Sequence, residues 1–424
     1  METLNVYLKG IRVGTLCTDK GRLSFTYDEQ YLSNPQAEPL AYTLPLDSAT
    51  YQGGVVISFF SNLLPDERIR RKIAKYLGIS HENTFALLKR IGEDCAGAVA
   101  LVPSEREQRA RATAEYKPLS EEEAHAILSA LPERPLNVGT EDFHISGAGA
   151  QEKLIACVKD GKIWLPLNGT PSTHIIKPGI PQFPESVFNE LYCMRLSAAC
   201  GLNTAQCNIL LVKDIPYYVT LRYDRQQQNG VWTRLHQEDF CQLLGYEPEV
   251  KYESEGGPRL LQCFELLRRM ELPAIDIIEF LRRIIFIFLI GNGDAHAKNF
   301  SILYSDKGAH LSPAYDLLST AVYPNLPPKL AMKIEGRNSL EWISRAKFVR
   351  MGAKAGLSPA LINREINKLL NRMERVLEDF TKNIQKQYPS PIYASIRDGI
   401  RQRLSQLAET PEASVMHKGK ASAK

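Results

Sequence analysis

The 424-residue chain has no long apolar run: the seven-residue stretch 284–290 falls far short of the ~20 residues that span a bilayer. No membrane span is expected, and the stretch reads as a buried helix. The first residues, Met1-Glu2-Thr3-Leu4-Asn5, lack the basic n-region and apolar h-region of an export signal, so the expected location is the cytoplasm. The eight cysteines, at 17, 95, 157, 193, 200, 207, 241 and 263, include no CxxC pair. Reduced core thiols are expected rather than disulfides or zinc, since Cys193 and Cys200 share a helix face but have no histidine at ligand spacing. An excess of either charge is also missing, and +4 over this length gives little support for nucleic-acid or membrane partners. There is no internal repeat, no low-complexity block and no G-x-S-x-G elbow, which removes the usual signature of serine acyl chemistry.

What is present is ordinary globular material, 44% hydrophobic and 24% charged, enough for two or three domains. Residues 1–105 read as a β-rich subdomain, with strands around a Lys9-Gly10 turn and Leu23, Phe25 and Tyr27 alternating with polar neighbours. A helix starting near Pro65-Asp66 should bury Ile69, Ile73, Tyr76 and Leu77 and stop at Gly78. A charged connector, 104–111, leads to a mixed α/β segment, 118–250, with strands at 153–158, 162–165, 173–177, 208–212 and 217–223. Its helix, 186–200, carries Val187, Leu191, Met194 and Ala198 on one stripe and ends at Gly201. Residues 251–408 read as helical apart from one hairpin, with amphipathic stretches at 362–385 and 391–407, and 410–424 read as a disordered tail.

The most informative segment is Gly291-Asn292-Gly293-Asp294-Ala295-His296-Ala297-Lys298-Asn299. An Asp followed five positions later by an Asn is the spacing of a phosphotransferase catalytic loop, in which the Asp accepts a hydroxyl proton and the Asn ligates Mg²⁺. Strand-like runs at 300–304 and 310–311 around Ser305-Asp306-Lys307-Gly308 would return the chain to Asp316, placed to grip the metal. His296 or Lys298 would supply positive charge to the transition state. The competing reading is a post-helix turn with a surface histidine.

The other pieces such chemistry needs follow in order. Ser146-Gly147-Ala148-Gly149-Ala150-Gln151-Glu152-Lys153 precedes a strand, where small residues let backbone N–H groups approach phosphate, although a plain turn reads the same way. Lys177 ends a strand and would reach the nucleotide phosphates or solvent. Glu190 on the next helix would be its ion-pair partner, with Asn189 or Glu185 equally able to face outward. Leu221-Arg222-Tyr223 would be the connector whose backbone holds the adenine edge, an assignment that rests on order alone.

These residues resemble the HipA family of bacterial toxin-antitoxin systems, serine/threonine protein kinases. The resemblance extends through Phe59-Phe60-Ser61-Asn62-Leu63-Leu64-Pro65-Asp66, Gly97-Ala98-Val99, Ile145 to Lys153, Thr173 to Lys177, Gln237-Glu238-Asp239, Lys251-Tyr252-Glu253-Ser254-Glu255-Gly256-Gly257-Pro258, Asp294 to Asn299 and Tyr315-Asp316. It implies an α+β, two-lobed protein-kinase-like fold with an N-terminal β-rich subdomain, a mixed α/β nucleotide lobe and an all-α C-terminal lobe. It implies ATP and Mg²⁺ as cofactors and a nucleotide site comprising Ala148, Gly149, Ala150, Gln151, Glu152, Lys153, Lys177, Leu221, Arg222, Tyr223, His296, Ala297, Lys298, Asn299, Tyr315 and Asp316. In it Asp294 is the base and Asn299 and Asp316 are the metal ligands. It also implies inhibitory autophosphorylation at Ser146, a HipB-like DNA-binding antitoxin partner that brings DNA in only indirectly, and a protein substrate for which glutamyl-tRNA synthetase is the family precedent. The sequence departs from the family at Leu221, where the better-known member has an acidic residue, and at Gly147, where a bulkier one is usual and a more mobile loop is expected. A small-molecule kinase of the aminoglycoside or choline type and a catalytically silent corepressor remain as alternatives.

Overall fold

The computed structural model describes residues 1–106, 114–139 and 145–408. The connector residues beyond Arg106 and the tail from 410 lie outside the described residues. The chain forms two compact units. The first comprises Met1–Ile180, Ala205–Lys251 and Phe300–Ser312, and the second Pro181–Thr204, Tyr252–Asn299 and the chain from Pro313 onward. Segments 1–105 and 118–180 therefore share one unit, while the helix Ser186–Ala199 belongs to the other.

In the first unit, strands β1 (Glu2–Leu8), β2 (Ile11–Asp19), β3 (Arg22–Tyr27), β4 (Tyr51–Gln52) and β5 (Val99–Val102) make an antiparallel sheet in the order β4-β3-β2-β1-β5. Lys9 and Gly10, both at positive φ, supply the tight turn that the right-handed strand twist favours. Leu23, Phe25 and Tyr27 point inward as their alternation predicts, and Phe25 packs 5.9 Å from Phe60 of the helix Gly54–Asn62. The helix Glu67–Leu77 buries Ile69 and Ile73 and stops at Gly78, but Tyr76 is 49% exposed. Arg70 takes the inward place instead, its guanidinium donating to Thr84 Oγ1 at 2.7 Å. Strands β6 (Glu115–Pro118), β7 (Leu154–Lys159), β8 (Lys162–Leu167), β9 (His174–Lys177), β10 (Cys207–Val212) and β11 (Ile215–Leu221) make a second antiparallel sheet, ordered β10-β11-β9-β7-β8-β6.

Two buried polar clusters tie this unit together. Asp94, 1% exposed, accepts from Arg225 at 2.8 Å, Arg234 at 2.9 Å and the Ser172 hydroxyl at 2.5 Å, while Arg222 reaches both Asp94 and Asp224. Burial alone would raise the Asp94 pKa, but the three guanidinium groups hold it well below the carboxylate range. The second cluster is built on the strand His236–Asp239, which pairs with the expected hairpin Ser301–Ser305 and Gly308–Leu311. Glu238 Oε1 accepts from the backbone N–H of Tyr42 at 2.9 Å and from the Tyr304 hydroxyl at 2.7 Å, and its Oε2 is buried without a hydrogen-bond partner.

The second unit is mainly helical. Ala274–Ile290 is buried continuously from Arg283 to Ile290, as the apolar run predicts. Pro359–Gln387, capped by Ser358 and started by Pro359, buries Ile362, Ile366, Leu369, Leu370, Met373, Leu377 and Ile384. Ser186–Ala199 is buried on most of its circumference rather than along one stripe, because aromatic partners such as Tyr393 and Phe380 surround Tyr192; Ala198 is exposed. Besides the expected hairpin Ser301–Ser305 with Gly308–Leu311, 251–408 carries a second one that sequence reasoning missed, Lys329–Ile334 with Arg337–Ser339, although Leu330, Met332 and Ile334 alternate with Lys329, Ala331 and Lys333. No described helix is long and apolar enough to cross a membrane.

Burial holds the Glu238 pKa up at about 7, against the lowering effect of its Tyr304 and Tyr42 hydrogen bonds. The folded state thus keeps a proton that the unfolded chain releases above its ordinary value of 4.5, so this group costs stability as pH rises from there to about 7. Glu238→Gln should flatten that slope and stabilise the protein at pH 8 by about 1–3 kcal/mol, measured by urea unfolding across pH. Asp94→Ala, which strands buried guanidinium groups, should destabilise by about 3–5 kcal/mol in the same assay.

Candidate active site

The loop after the helix Ala274–Ile290 must satisfy the last carbonyls of a buried helix. Gly291 turns left-handed at φ 67, its N–H and that of Asn292 bond back to Phe288 and Ile287, and its own carbonyl accepts from Thr320 and Ala321. A Cβ at this position would lie 2.7 Å from Ala321 Cβ, so the close approach requires glycine. Thr320 Oγ1 then takes the Gly293 N–H at 2.7 Å, and Asn292 Oδ1 takes that of Asp294 at 2.9 Å. The Asp294 backbone is thereby fixed, and its Oδ1 accepts from the Tyr252 hydroxyl.

The rest of the predicted constellation in this unit is assembled around Asn299. Its amide oxygen accepts the His296 N–H at 3.0 Å and its Nδ2 donates to Asp316 Oδ2 at 2.7 Å. Tyr315 donates to the Lys298 carbonyl at 2.7 Å, which ties the hairpin's return to the loop. Asp316 sits at φ 57, a left-handed conformation unusual outside glycine and typical of strain held at functional sites. His296, Ala297, Lys298 and Asn299 are all buried. One carboxylate and one amide, both hard oxygen donors, suit Mg²⁺, which commonly takes few protein ligands and completes its octahedron with water and phosphate. Among the described residues no group of three or more His, Cys, Asp or Glu is placed to hold a metal.

In the first unit the loop 146–153 is docked on the helix Glu67–Leu77. Gly149 O accepts from Asp66 N at 3.2 Å, Ala150 O from Arg68 at 3.2 Å, and Glu152 pairs with Arg68 and Lys72. Burial raises the Glu152 pKa, but the Lys72 hydrogen bond and the two cations outweigh it and hold it low. Gln151 donates to Pro178 O at 3.0 Å, and the Lys153 ammonium folds back onto Ala148 O. Gly149, at φ 106, adopts a backbone that other residues resist. Gly147 serves close packing, since a Cβ there would meet Ile155 Cδ1 at 2.3 Å. Ser146 is 1% exposed and donates to Leu63 O at 2.6 Å.

Lys177 ends β9 with its ammonium 5.5 Å from the centre of the Tyr218 ring, and Glu190 is a buried residue of the second unit. At the connector, the N–H groups of Leu221 and Arg222 are already engaged, by Gln206 O at 2.9 Å and Thr173 O at 2.8 Å. The Arg222 side chain is turned inward to Asp94 and Asp224, so it serves the fold rather than a ligand. Tyr223 bonds through its hydroxyl to Gln237. Sequence reasoning missed Asp94, whose carbonyl also accepts the Ser146 N–H at 3.2 Å, and the supporting roles of Asn292 and Thr320. Asn292 lies in the motif itself, but nothing periodic marks Asp94 or Thr320.

Comparison with known proteins places the chain. Residues 145–382 match the HipA-like C-terminal domain and residues 4–102 the HipA N-terminal domain. A putative kinase, Y4mE, of Sinorhizobium fredii is 43% identical over 389 residues, covering 89% of this chain and 93% of that protein. The serine/threonine-protein kinase toxin HipA of Shewanella oneidensis is 28% identical over 393 residues, covering 89% of each. A solved Shewanella oneidensis complex of HipA, HipB and operator DNA contains a chain matching this one with a TM-score of 0.81 at 25% identity, over 96% of this chain and 97% of that one. With both family domains matched in order and the phosphotransferase loop assembled around Asn299, the chain belongs to the HipA family of kinases.

Proposed function

We propose that this chain is an ATP- and Mg²⁺-dependent protein kinase that phosphorylates serine or threonine on a cytoplasmic protein and acts as the toxin of a toxin-antitoxin pair. The observation that carries the reading is the Asp294, Asn299 and Asp316 arrangement, with the base on a backbone fixed by its neighbours and two oxygen donors joined by one hydrogen bond. Bound Mg-ATP supplies the transferable phosphoryl group and neutralises its developing charge. Asp294 accepts the proton of the acceptor hydroxyl, Asn299 and Asp316 hold the metal through oxygen, and His296 and Lys298 contribute positive charge. In the first unit, the backbone of 148–153 with Lys153 and Lys177 binds phosphate. The N–H groups of Leu221 and Arg222 are engaged within the fold and are not the groups that would meet adenine.

The partner assignment follows the solved complex of a relative with HipB and operator DNA, and gives this chain a HipB-like antitoxin through which it meets DNA. An aminoacyl-tRNA synthetase is the target class that family precedent favours. Ser146 is the autophosphorylation site in this reading. Because its hydroxyl is buried against Leu63 O, phosphorylation requires the loop to leave its docked position, and a dianion cannot return beside that carbonyl. Phosphorylation at Ser146 therefore excludes the docked loop.

Asp294→Asn should reduce phosphoryl transfer by about 10³-fold or more while nucleotide affinity stays near wild type; retained turnover would remove Asp294 as the base. Asp316→Asn should instead weaken Mg-ATP binding, read by calorimetry with and without Mg²⁺. Ser146→Ala should abolish self-labelling at that site with labelled ATP, and mass spectrometry that places the phosphate elsewhere would overturn the assignment.

A further inference from the structure

Tyr252 stands outside the aspartate, asparagine and lysine set assigned above, yet its hydroxyl donates to Asp294 Oδ1. Its ring also meets His296 edge-on, with centroids 4.9 Å apart and planes at 83°. One side chain thus touches both the base and its neighbour two residues on. The backbone that carries it is held firmly. Its carbonyl accepts from Glu255 N at 3.0 Å and Gly257 N at 2.9 Å, and Gly256 at φ 92 lets the chain fold back. The next residue, Glu253, clamps this turn to the strand Lys329–Ile334 by accepting the Lys333 N–H at 2.6 Å. The hairpin Lys329–Ile334 with Arg337–Ser339 therefore helps to fix where the Tyr252 hydroxyl lies.

We propose that Tyr252 is a positioning residue for the catalytic base: its hydroxyl holds Asp294 Oδ1, so that Oδ2 is the oxygen presented to the acceptor hydroxyl. The inference rests on the kinase reading of the site. A carboxylate on a single Cβ turns about two torsions, and a general base contributes only when its lone pair faces the proton it takes. A phenol donating to an ionised carboxylate makes a short, charge-assisted bond that selects one rotamer. In the transfer step the acceptor O–H proton passes to Asp294 Oδ2. The acceptor oxygen then bonds to the γ-phosphorus as the bond from that phosphorus to the β,γ-bridging oxygen breaks and ADP leaves. The Tyr252 proton stays on its own oxygen throughout, which separates positioning from proton relay. The ring contact with His296 restricts how far the phenol can move from the carboxylate.

The test is Tyr252→Phe, which removes one oxygen and keeps the ring against His296. Single-turnover transfer from labelled ATP to dephosphorylated casein, at saturating Mg-ATP, should slow by about 10-fold or more. Mg-ATP affinity should stay within about twofold and the melting temperature within about 2 °C of wild type. In the Asp294→Asn background, whose residual rate is measured alongside, adding Tyr252→Phe should cause no further loss, since a positioning residue acts only through the base it positions. If Tyr252→Phe keeps the wild-type rate, loses rate only in proportion to nucleotide affinity, or lowers the residual rate of Asp294→Asn as much as that of wild type, the inference is wrong while the kinase reading stands. A wild-type protein that transfers nothing overturns both.

Discussion

A helix buried to its last residue has to find partners for its final carbonyls inside the protein, and the helix Ala274–Ile290 finds them in its own following loop and in residues after Asp316. Its end at Gly291 is therefore a knot in which the stretch that carries Asp294 and the stretch that follows Asp316 are hydrogen-bonded to each other. Both aspartates are held from the same point of backbone, which is why two carboxylates 22 residues apart in sequence belong to one site. The strain of Asp316 at positive φ is carried by this knot together with the Asn299 amide.

In the first unit an equivalent organising role falls to a buried carboxylate. Asp94 is stable as an anion only because arginines from separate segments converge on it, and those segments include the connector proposed to meet adenine. Its backbone carbonyl also anchors Ser146 at the start of the proposed phosphate loop. The N-terminal segment, which shows no chemistry of its own by sequence, thus supports both parts of this unit proposed to meet nucleotide. Loop displacement on phosphorylation of Ser146 would begin at this support and at the Leu63 carbonyl.

The fold was legible where periodicity carries it. The alternation of Leu23, Phe25 and Tyr27, the stripe from Ile362 to Ile384 and the apolar run 284–290 each give the correct element and inward face. It was less legible where burial is set by partners far along the chain. Tyr76 lies outside while Arg70 is turned in to Thr84, and Ala198 is exposed on a helix buried around most of its circumference. The hairpin Lys329–Ile334 with Arg337–Ser339 was legible by the same alternation, Leu330, Met332 and Ile334 against Lys329, Ala331 and Lys333, and was overlooked. Gly147 and Gly149 look alike in sequence, yet one serves close packing on Ile155 and the other a positive φ.

The sequence by itself supplied the inventory of the proposed site, because phosphoryl transfer needs a carboxylate, an amide and a second carboxylate at set spacings, and spacing along a chain can be read directly. It also determined the family, through motifs in an order that physical chemistry alone would not impose. Only the tertiary structure decided which atoms of those residues remain for a ligand: Arg222 is consumed by Asp94 and Asp224, Ser146 is buried against Leu63, and Asp294 shares an oxygen with Tyr252. A residue's type states what it can bond to, but the competition among all possible partners is settled only when the chain is folded.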